Sequence, residues 1–335
     1  MLKKCIITIE KSRERGISQV RVAKQKGVII MNKIVLVGCG NVGMAYAYAL
    51  LTSGANVDEL CLIDINTEYA AGQAQDLNDA VPYCGNATRV YAGEYSECSN
   101  ADIVVICAGR NQEKGESRQK LIDKNYAVFA DIIGKITPTG FNGIYLIATN
   151  PLDVMTTITQ KLSHFAPEKV IGSGTVLDTA RLKFYVGEKI KINPRHVHAY
   201  VIGEHGDSEF VAWNNALVAM NTAAFYLSSD EMAEIEDRVR KSAYEIINKK
   251  GYTCYGIGMS LVKITNAILQ DAHEVLTVSA YDSAHDIYYS RPCVINRSGI
   301  QEVIELQLSD LDKARLDASI AEITQSYNCI FSEQS

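Results

Sequence analysis

Glycines at positions 38, 40 and 43, in Gly38-Cys39-Gly40-Asn41-Val42-Gly43, follow the β-branched run 33–37 and open an alanine- and leucine-rich stretch from Asn41 to Leu51. This order spells strand, tight turn, helix, and few folds accept it. Gly38 permits the tight turn, Gly40 lets a pyrophosphate approach the backbone, and Gly43 allows the helix to lie close on the strand. A phosphate at the turn would meet the N-terminal N–H groups of the helix, from Asn41 and Val42 onward. Asp64 closes a second strand, Glu59–Asp64, about 20 residues further on, where a carboxylate accepts from ribose hydroxyls and repels a 2′-phosphate. The expected cofactor is therefore NAD rather than NADP. A glycine turn serving only strand–helix packing is the bland alternative, and Asp64 argues against it.

The alternation continues. A helix is expected over Thr67–Ala80, a buried strand over Ala101–Ala108, a helix over Ser117–Ile136, and a strand over Gly143–Ala148 that ends at Thr149-Asn150-Pro151, where proline opens the next helix. Strands alternating with helices imply an α/β fold with a Rossmann-type doubly wound parallel sheet. Beyond about residue 172 the pattern changes to an α+β substrate domain. Its long helical stretches are Asp230–Lys250 and Thr253–Asp271, with Gly251 between them. Its strands are expected over Glu274–Tyr281, Pro292–Asn296 and Ile300–Leu306, and its last helix over Ser309–Tyr327. The expected division is an extension over residues 1–30, an NAD-binding domain over 31–172 and a catalytic domain over 173–330, with the site where the latter two meet.

At 335 residues the chain is longer than one hydrophobic core usually supports, and 47% of it is hydrophobic, so two well-buried domains are expected. It has no run of 18 apolar residues and no signal-peptide pattern, which points to a cytoplasmic location and no membrane partner. Nine cysteines, odd in number and without paired CxxC spacing, read as reduced thiols rather than disulfides or a metal site. The net charge of −6 hides a basic head, in which Lys3, Lys4, Lys11, Arg13, Arg15, Arg21, Lys24 and Lys26 stand against Glu10 and Glu14. The acidic remainder gives no reason to expect a nucleic-acid partner. Met31, leading straight into the first strand, looks like a natural chain start, so residues 1–30 are expected to lie outside the fold.

Downstream, Asp178-Thr179-Ala180-Arg181 and Gly203-Glu204-His205-Gly206-Asp207 supply an acid, a guanidinium and an imidazole. An imidazole can give or take a hydroxyl proton, a carboxylate can hold its tautomer and raise its pKa, and a planar guanidinium can grip a carboxylate with two parallel hydrogen bonds. With a dinucleotide site upstream, the combination implies hydride transfer to a small keto acid. A lone histidine is usually structural, but this one comes with its partners.

These motifs resemble those of the lactate/malate dehydrogenase family, on its L-lactate dehydrogenase branch of bacterial type, over roughly residues 31–330. The resemblance implies that His205 relays the proton, that Asp178 orients it, and that Arg181 clamps the substrate carboxylate. It implies that Asn150 donates to the substrate oxygen beside the nicotinamide and that Thr253 lines the pocket near the substrate methyl. Helix capping is the alternative reading for both Asn150 and Thr253. The family's mobile loop resembles residues 109–118, so Arg118 would close over the substrate and polarise its carbonyl, and Gln112 would discriminate pyruvate from oxaloacetate. A neutral amide cannot pair a second carboxylate, and stranding that charge costs several kcal/mol. Arg110, two residues before Gln112, is the one nearby charge that could substitute.

Bacterial relatives activated by fructose 1,6-bisphosphate carry cationic residues where this chain has Lys183 and His198, so those two are candidate phosphate ligands, with lysine lacking the bidentate geometry of arginine. The resemblance also implies a homotetramer. The rival readings are a malate or broader 2-hydroxyacid dehydrogenase and a catalytically silent NAD-binding protein.

Overall fold

The computed structural model describes residues 32–110 and 118–332, the side chains of Arg118 and residues 330–332 excepted. The extension 1–30 and Gln112 lie outside the described residues, as does the side chain of Arg118.

Strand β1 (Lys33–Val37) is buried along its whole length, as an apolar run covered on both faces must be. It leads into α1 (Asn41–Thr52), β2 (Glu59–Ile63), α2 (Thr67–Ala80), β3 (Arg89–Ala92), β4 (Ile103–Ile106), α3 (Arg118–Ile136), β5 (Ile144–Ile147), α4 (Leu152–Ser163) and β6 (Val170–Gly172). Next come α5 (Val176–Ile190) and five two-residue strands, β7 (Val197–His198), β8 (Val201–Ile202), β9 (Phe210–Val211), β10 (Leu217–Val218) and β11 (Asn221–Thr222). Helices α6 (Ser229–Lys250) and α7 (Tyr255–Leu269), strands β12 (Glu274–Asp282), β13 (Ile287–Asn296) and β14 (Gly299–Val303), and α8 (Asp310–Ser332) complete the chain.

The main sheet runs β14-β13-β12-β6-β5-β4-β1-β2-β3. From β6 to β3 every pairing is parallel, and β1 lies between β4 and β2. Alternation along these strands sends side chains to two separate cores. Ile34, Leu36, Leu60, Leu62, Ile103 and Val105 pack with Tyr46 and Leu50 of α1 and Ile264 of α7. Val35, Val37, Ile63, Val104 and Ile106 pack with Phe129 of α3, Met155 of α4 and Ile323 of α8. Helices thus cover both faces, as a doubly wound sheet requires. A third core, including Leu182, Val186, Val201, Val211 and Val239, lies between α5, α6 and the short strands.

Two short strands lie outside the expected elements. Strands β3 and β6 escape the sequence reading, because four and three residues with partial burial or a terminal glycine carry too little periodicity. The strands expected in the α+β part, β12 to β14, are present, and they join the edge of the parallel sheet through an antiparallel β12–β6 junction at Ser279 and Gly172. A Cβ on Gly172 would lie 2.6 Å from that of Ser279, so only glycine lets the strands approach this closely. No helix among the described residues is long and apolar enough to cross a membrane. Of the described cysteines none is paired, and Cys39, Cys61, Cys98, Cys254 and Cys293 are buried.

Candidate active site

Strand order reverses about β1, and the crevice outside the carboxyl ends of β1, β2 and β4 is where open α/β sheets bind ligands. A groove of 660 Å³ opens there, lined by Gly38, Gly40, Asp64, Ile65, Cys107 and Arg110 among others. Gly38 has φ +101°, and a Cβ there would fall 2.5 Å from Ala108 N, while a Cβ on Gly43 would fall 2.0 Å from the Gly38 carbonyl oxygen. Gly40 faces open space, so a ligand can come right up to its backbone. It is the N-cap of α1 and gives no side-chain cap, and Asn41 is exposed and Val42 half-buried in the first turn, whose N–H groups suit a phosphate. Asp64 lines the groove and accepts from the main-chain N–H groups of Cys39 (2.8 Å) and Asn66 (3.0 Å), which aims it across the glycine turn. An elongated dinucleotide fits this cradle.

The proton-handling groups gather between α5 and the loop that follows β8. Asp178 and Arg181 stand one turn apart on α5, so both face the same way. Asp178 is 2% exposed and divides its two oxygens, accepting from Arg181 Nη1 at 2.7 Å and from His205 Nδ1 at 2.8 Å. An ionised carboxylate only accepts, so Nδ1 carries the proton toward Asp178 and Nε2 is left to exchange one. Burial opposes charge on Asp178, but His205 and Arg181 outweigh it and hold the carboxyl below its usual range. Burial likewise pushes the His205 imidazole down, yet the Asp178 charge and hydrogen bond, with smaller contributions from Glu209 and Asp153, raise it to about 9.

The loop carrying His205 is pinned on several sides. Gly203, at φ +96°, exchanges two 2.9 Å backbone hydrogen bonds with Ser290 of β13. Ser319 of α8 accepts from Glu204 N at 2.6 Å. Asp153 of α4 accepts from His205 N at 2.7 Å. Thr175, the N-cap of α5, and Thr179 within it bond the backbone of Val201, at 2.6 and 3.0 Å, and so tie the Asp178 helix to the strand just before this loop.

Asn150 is exposed at the end of β5, and the N-cap of α4 is Pro151 without a side-chain cap bond, so Asn150 does not cap that helix. Its main-chain oxygen accepts from Asn125 Nδ2 (2.8 Å), and Asn125 Oδ1 accepts from Arg110 N (2.7 Å). A fully buried asparagine on α3 thus joins the turn bearing Asn150 to the start of the 109–118 loop. Thr253 lies in the link between α6 and α7, and the N-cap of α7 is Cys254, again without a side-chain bond, so capping does not account for Thr253. Lys183 sits 6.0 Å from the Tyr200 ring centroid; burial, with repulsion from Lys263, pulls its pKa down, although Glu274 opposes this. His198 is exposed on β7.

The sequence reading missed Asn125, Asp153 and Glu209. Glu209 is 5% exposed, and its carboxylate lies within 4.8 Å of acid and imidazole atoms of Asp178 and His205. Burial first, then the Asp178 charge, raises its pKa well above the usual carboxylate range. Its position four residues after His205 was the available signal.

The lactate/malate dehydrogenase NAD binding domain matches residues 32–172, and the alpha/beta C-terminal domain of the same family matches residues 175–334. L-lactate dehydrogenase 2 of Bacillus cereus is 44% identical over 306 residues, spanning 88% of this chain and 96% of its own length. L-lactate dehydrogenase 1 of Bacillus anthracis matches with the same identity and coverage. Among solved structures, a lactate dehydrogenase from a Medee basin deep-sea metagenome library has a TM-score of 0.87 at 40% identity, covering 90% of this chain and 99% of the other. The ligand-bound minor L-lactate dehydrogenase of Enterococcus mundtii has a TM-score of 0.87 at 36% identity, covering 90% and 98%.

Proposed function

The chain belongs to the lactate/malate dehydrogenase family, and from that membership we propose that it interconverts pyruvate and L-lactate with NAD, His205 moving the proton. The observation that carries the mechanism is the buried Asp178 carboxylate shared between Arg181 and His205. Gly40, Asn41 and Val42 would hold the pyrophosphate at the turn that Gly38 and Gly43 shape, and Asp64 the adenosine ribose. When bound, the reduced nicotinamide supplies the hydride that adds to the keto carbon. The chain's own residues do the rest. Arg181 orients the substrate by its carboxylate, Asn150 donates to the keto oxygen, and His205 gives that oxygen the Nε2 proton, while Asp178 stabilises the imidazolium beforehand. In reverse, neutral His205 takes the alcohol proton. Arg118 closes over the substrate and excludes water, Thr253 lines the methyl side, and the neutral Gln112 selects a monocarboxylate.

Residues 31–172 act as the NAD-binding domain and 173–330 as the substrate domain, a division supported by where the two family domains match. The enzyme is a homotetramer of the cytoplasm, where its described cysteines, all unpaired, stay reduced. Lys183 and His198 take the phosphates of fructose 1,6-bisphosphate, supported by His198 being exposed on β7 and by Lys263 lying near Lys183, although Lys263 is itself paired with Glu274.

One assay tests these readings together: loss of NADH absorbance with pyruvate or oxaloacetate at matched concentration, each with and without fructose 1,6-bisphosphate. Pyruvate preference with a lowered half-saturation in the presence of the bisphosphate is expected. Oxaloacetate preference would transfer the chain to the malate branch and implicate Arg110, an unchanged half-saturation would remove the activator, and silence on both substrates would overturn the catalytic reading.

A further inference from the structure

We propose that Asp153 is a positioning residue for proton transfer, its carboxylate fixing the main chain of His205 to the first turn of α4, which follows directly on Asn150-Pro151. The proposal rests on the reading above that His205 carries the proton. Asp153 is 2% exposed in the first turn of α4. Its Oδ2 accepts from His205 N at 2.7 Å, and its Oδ1 accepts from Ser279 Oγ at 2.5 Å. These partners lie 52 and 126 residues away in the chain.

Ser279 is an unusually rigid anchor, since it sits at the β12–β6 junction where Gly172 admits no side chain. With Oδ1 held there, Oδ2 has one place to be, and the backbone of His205 is registered against it. Asn150 lies just before Pro151, the N-cap of that helix, so the chain itself ties it to the same element. The proton donor and the amide proposed to contact the same keto oxygen therefore share a single rigid mount, although 55 residues separate them in the sequence.

A carboxylate is a costly choice for a purely architectural task, because its charge is buried and, among the described residues, no lysine or arginine pairs with it. What compensates is the pair of donated hydrogen bonds and the N-terminal end of α4. Both partners are donors, and an acceptor-only group satisfies them without strain, whereas an amide presents one acceptor and one donor edge. The anion also bears on the imidazole. The titratable and charged groups facing His205 are Asp178, with Arg181 behind it, from α5, Glu209 at the edge of β9, and Asp153 from α4; Glu204 bears on Asp153, and Arg240 of α6 on Glu209. Burial raises Asp153 to about 6, opposed by its two hydrogen bonds and by His205, so it is ionised at neutral pH.

The test compares Asp153→Asn and Asp153→Ala with the unaltered protein, measuring kcat and KM for pyruvate across pH and NADH affinity by fluorescence titration. For Asp153→Ala, kcat is expected to fall about 10²-fold, as a shift of roughly 1 Å in a reacting group costs. Asp153→Asn should lose less, having kept one acceptor. In both, NADH affinity is retained and the alkaline limb of the pH profile moves to lower pH, because a negative charge beside the imidazolium is gone. Asp153→Asn, nearly isosteric, carries the test if the alanine variant does not fold. An unchanged kcat, an unmoved alkaline limb, or loss of NADH binding in parallel with activity would overturn the proposal. Failure of the unaltered protein on pyruvate would instead overturn the reading on which it rests.

Discussion

Two carboxylates and a guanidinium decide what one imidazole can do. Asp178 is the stronger influence on His205, and it is itself kept ionised by Arg181, so the three groups form a short chain of alternating charge. With His205 raised to about 9, pyruvate reduction, which consumes imidazolium, should be level through neutral pH and fall about tenfold per unit above 9. Lactate oxidation needs the neutral ring and should climb over the same range; initial rates in both directions against pH would check this, and a midpoint near 6.5 would contradict it. The same shift bears on stability. A histidine raised above its ordinary 6.5 contributes fully below that pH, and the contribution disappears as pH rises through the folded value near 9. Asp178, lowered in the fold, contributes above the usual carboxylate range and loses that as acid protonates it. The thermal midpoint of the cofactor-free protein should therefore decline between pH 7 and 10.

At the level of one element, the glycine turn separates two demands that sequence alone cannot tell apart. Gly43 is a packing glycine, whose added Cβ would lie 2.0 Å from the Gly38 oxygen. Gly40 is a ligand glycine, with nothing within 4 Å of its added Cβ and an ordinary φ of −74°. Gly43→Ala should lower stability by about 1–3 kcal/mol through overpacking. Gly40→Ala should leave the thermal midpoint unchanged while weakening NADH binding. Calorimetry and NADH titration on the pair would check the division, and equal losses of stability would refute it. Helix α4 shows a comparable economy, with Asn150 at its head and Asp153 within its first turn serving opposite ends of the same site.

Over the described part of the molecule, one sheet carries both halves of the machinery. Strands β12 to β14 add to the edge of the parallel sheet, and Tyr46 of α1 and Thr265 of α7 are joined by a buried hydrogen bond of 2.9 Å on one of its faces. Because one sheet runs through both halves, residues 32–332 should unfold in a single cooperative calorimetric transition. NADH at about 100 times its dissociation constant should add about 2.7 kcal/mol to that stability. Two resolved transitions, one of them insensitive to NADH, would show that the halves fold apart.

Much of this organisation was legible in the chain because its signals are local. The β1–turn–α1 unit, Asp64 at the end of β2 and helix α2 over Thr67–Ala80 announce themselves through glycine spacing and apolar period. Asp178 and Arg181 fall on one helical face by a three-residue interval, and His205 stands in a motif rich enough to single it out. What the sequence could not yield depends on residues that meet only after folding. Asn125 bridges Arg110 and Asn150, Glu209 closes on Asp178, and Asp153 meets Ser279 across 126 residues, none with a local pattern to betray the partner. Strands β3 and β6 were invisible because pairing, not periodicity, makes them strands, and the junction of β12 with β6 rests on one close approach at Gly172. Short-range stereochemistry determined the elements and the chemical groups; the continuity of the sheet and the precise seat of His205 were decided by long-range hydrogen bonds and close packing, which only the tertiary structure brings into being.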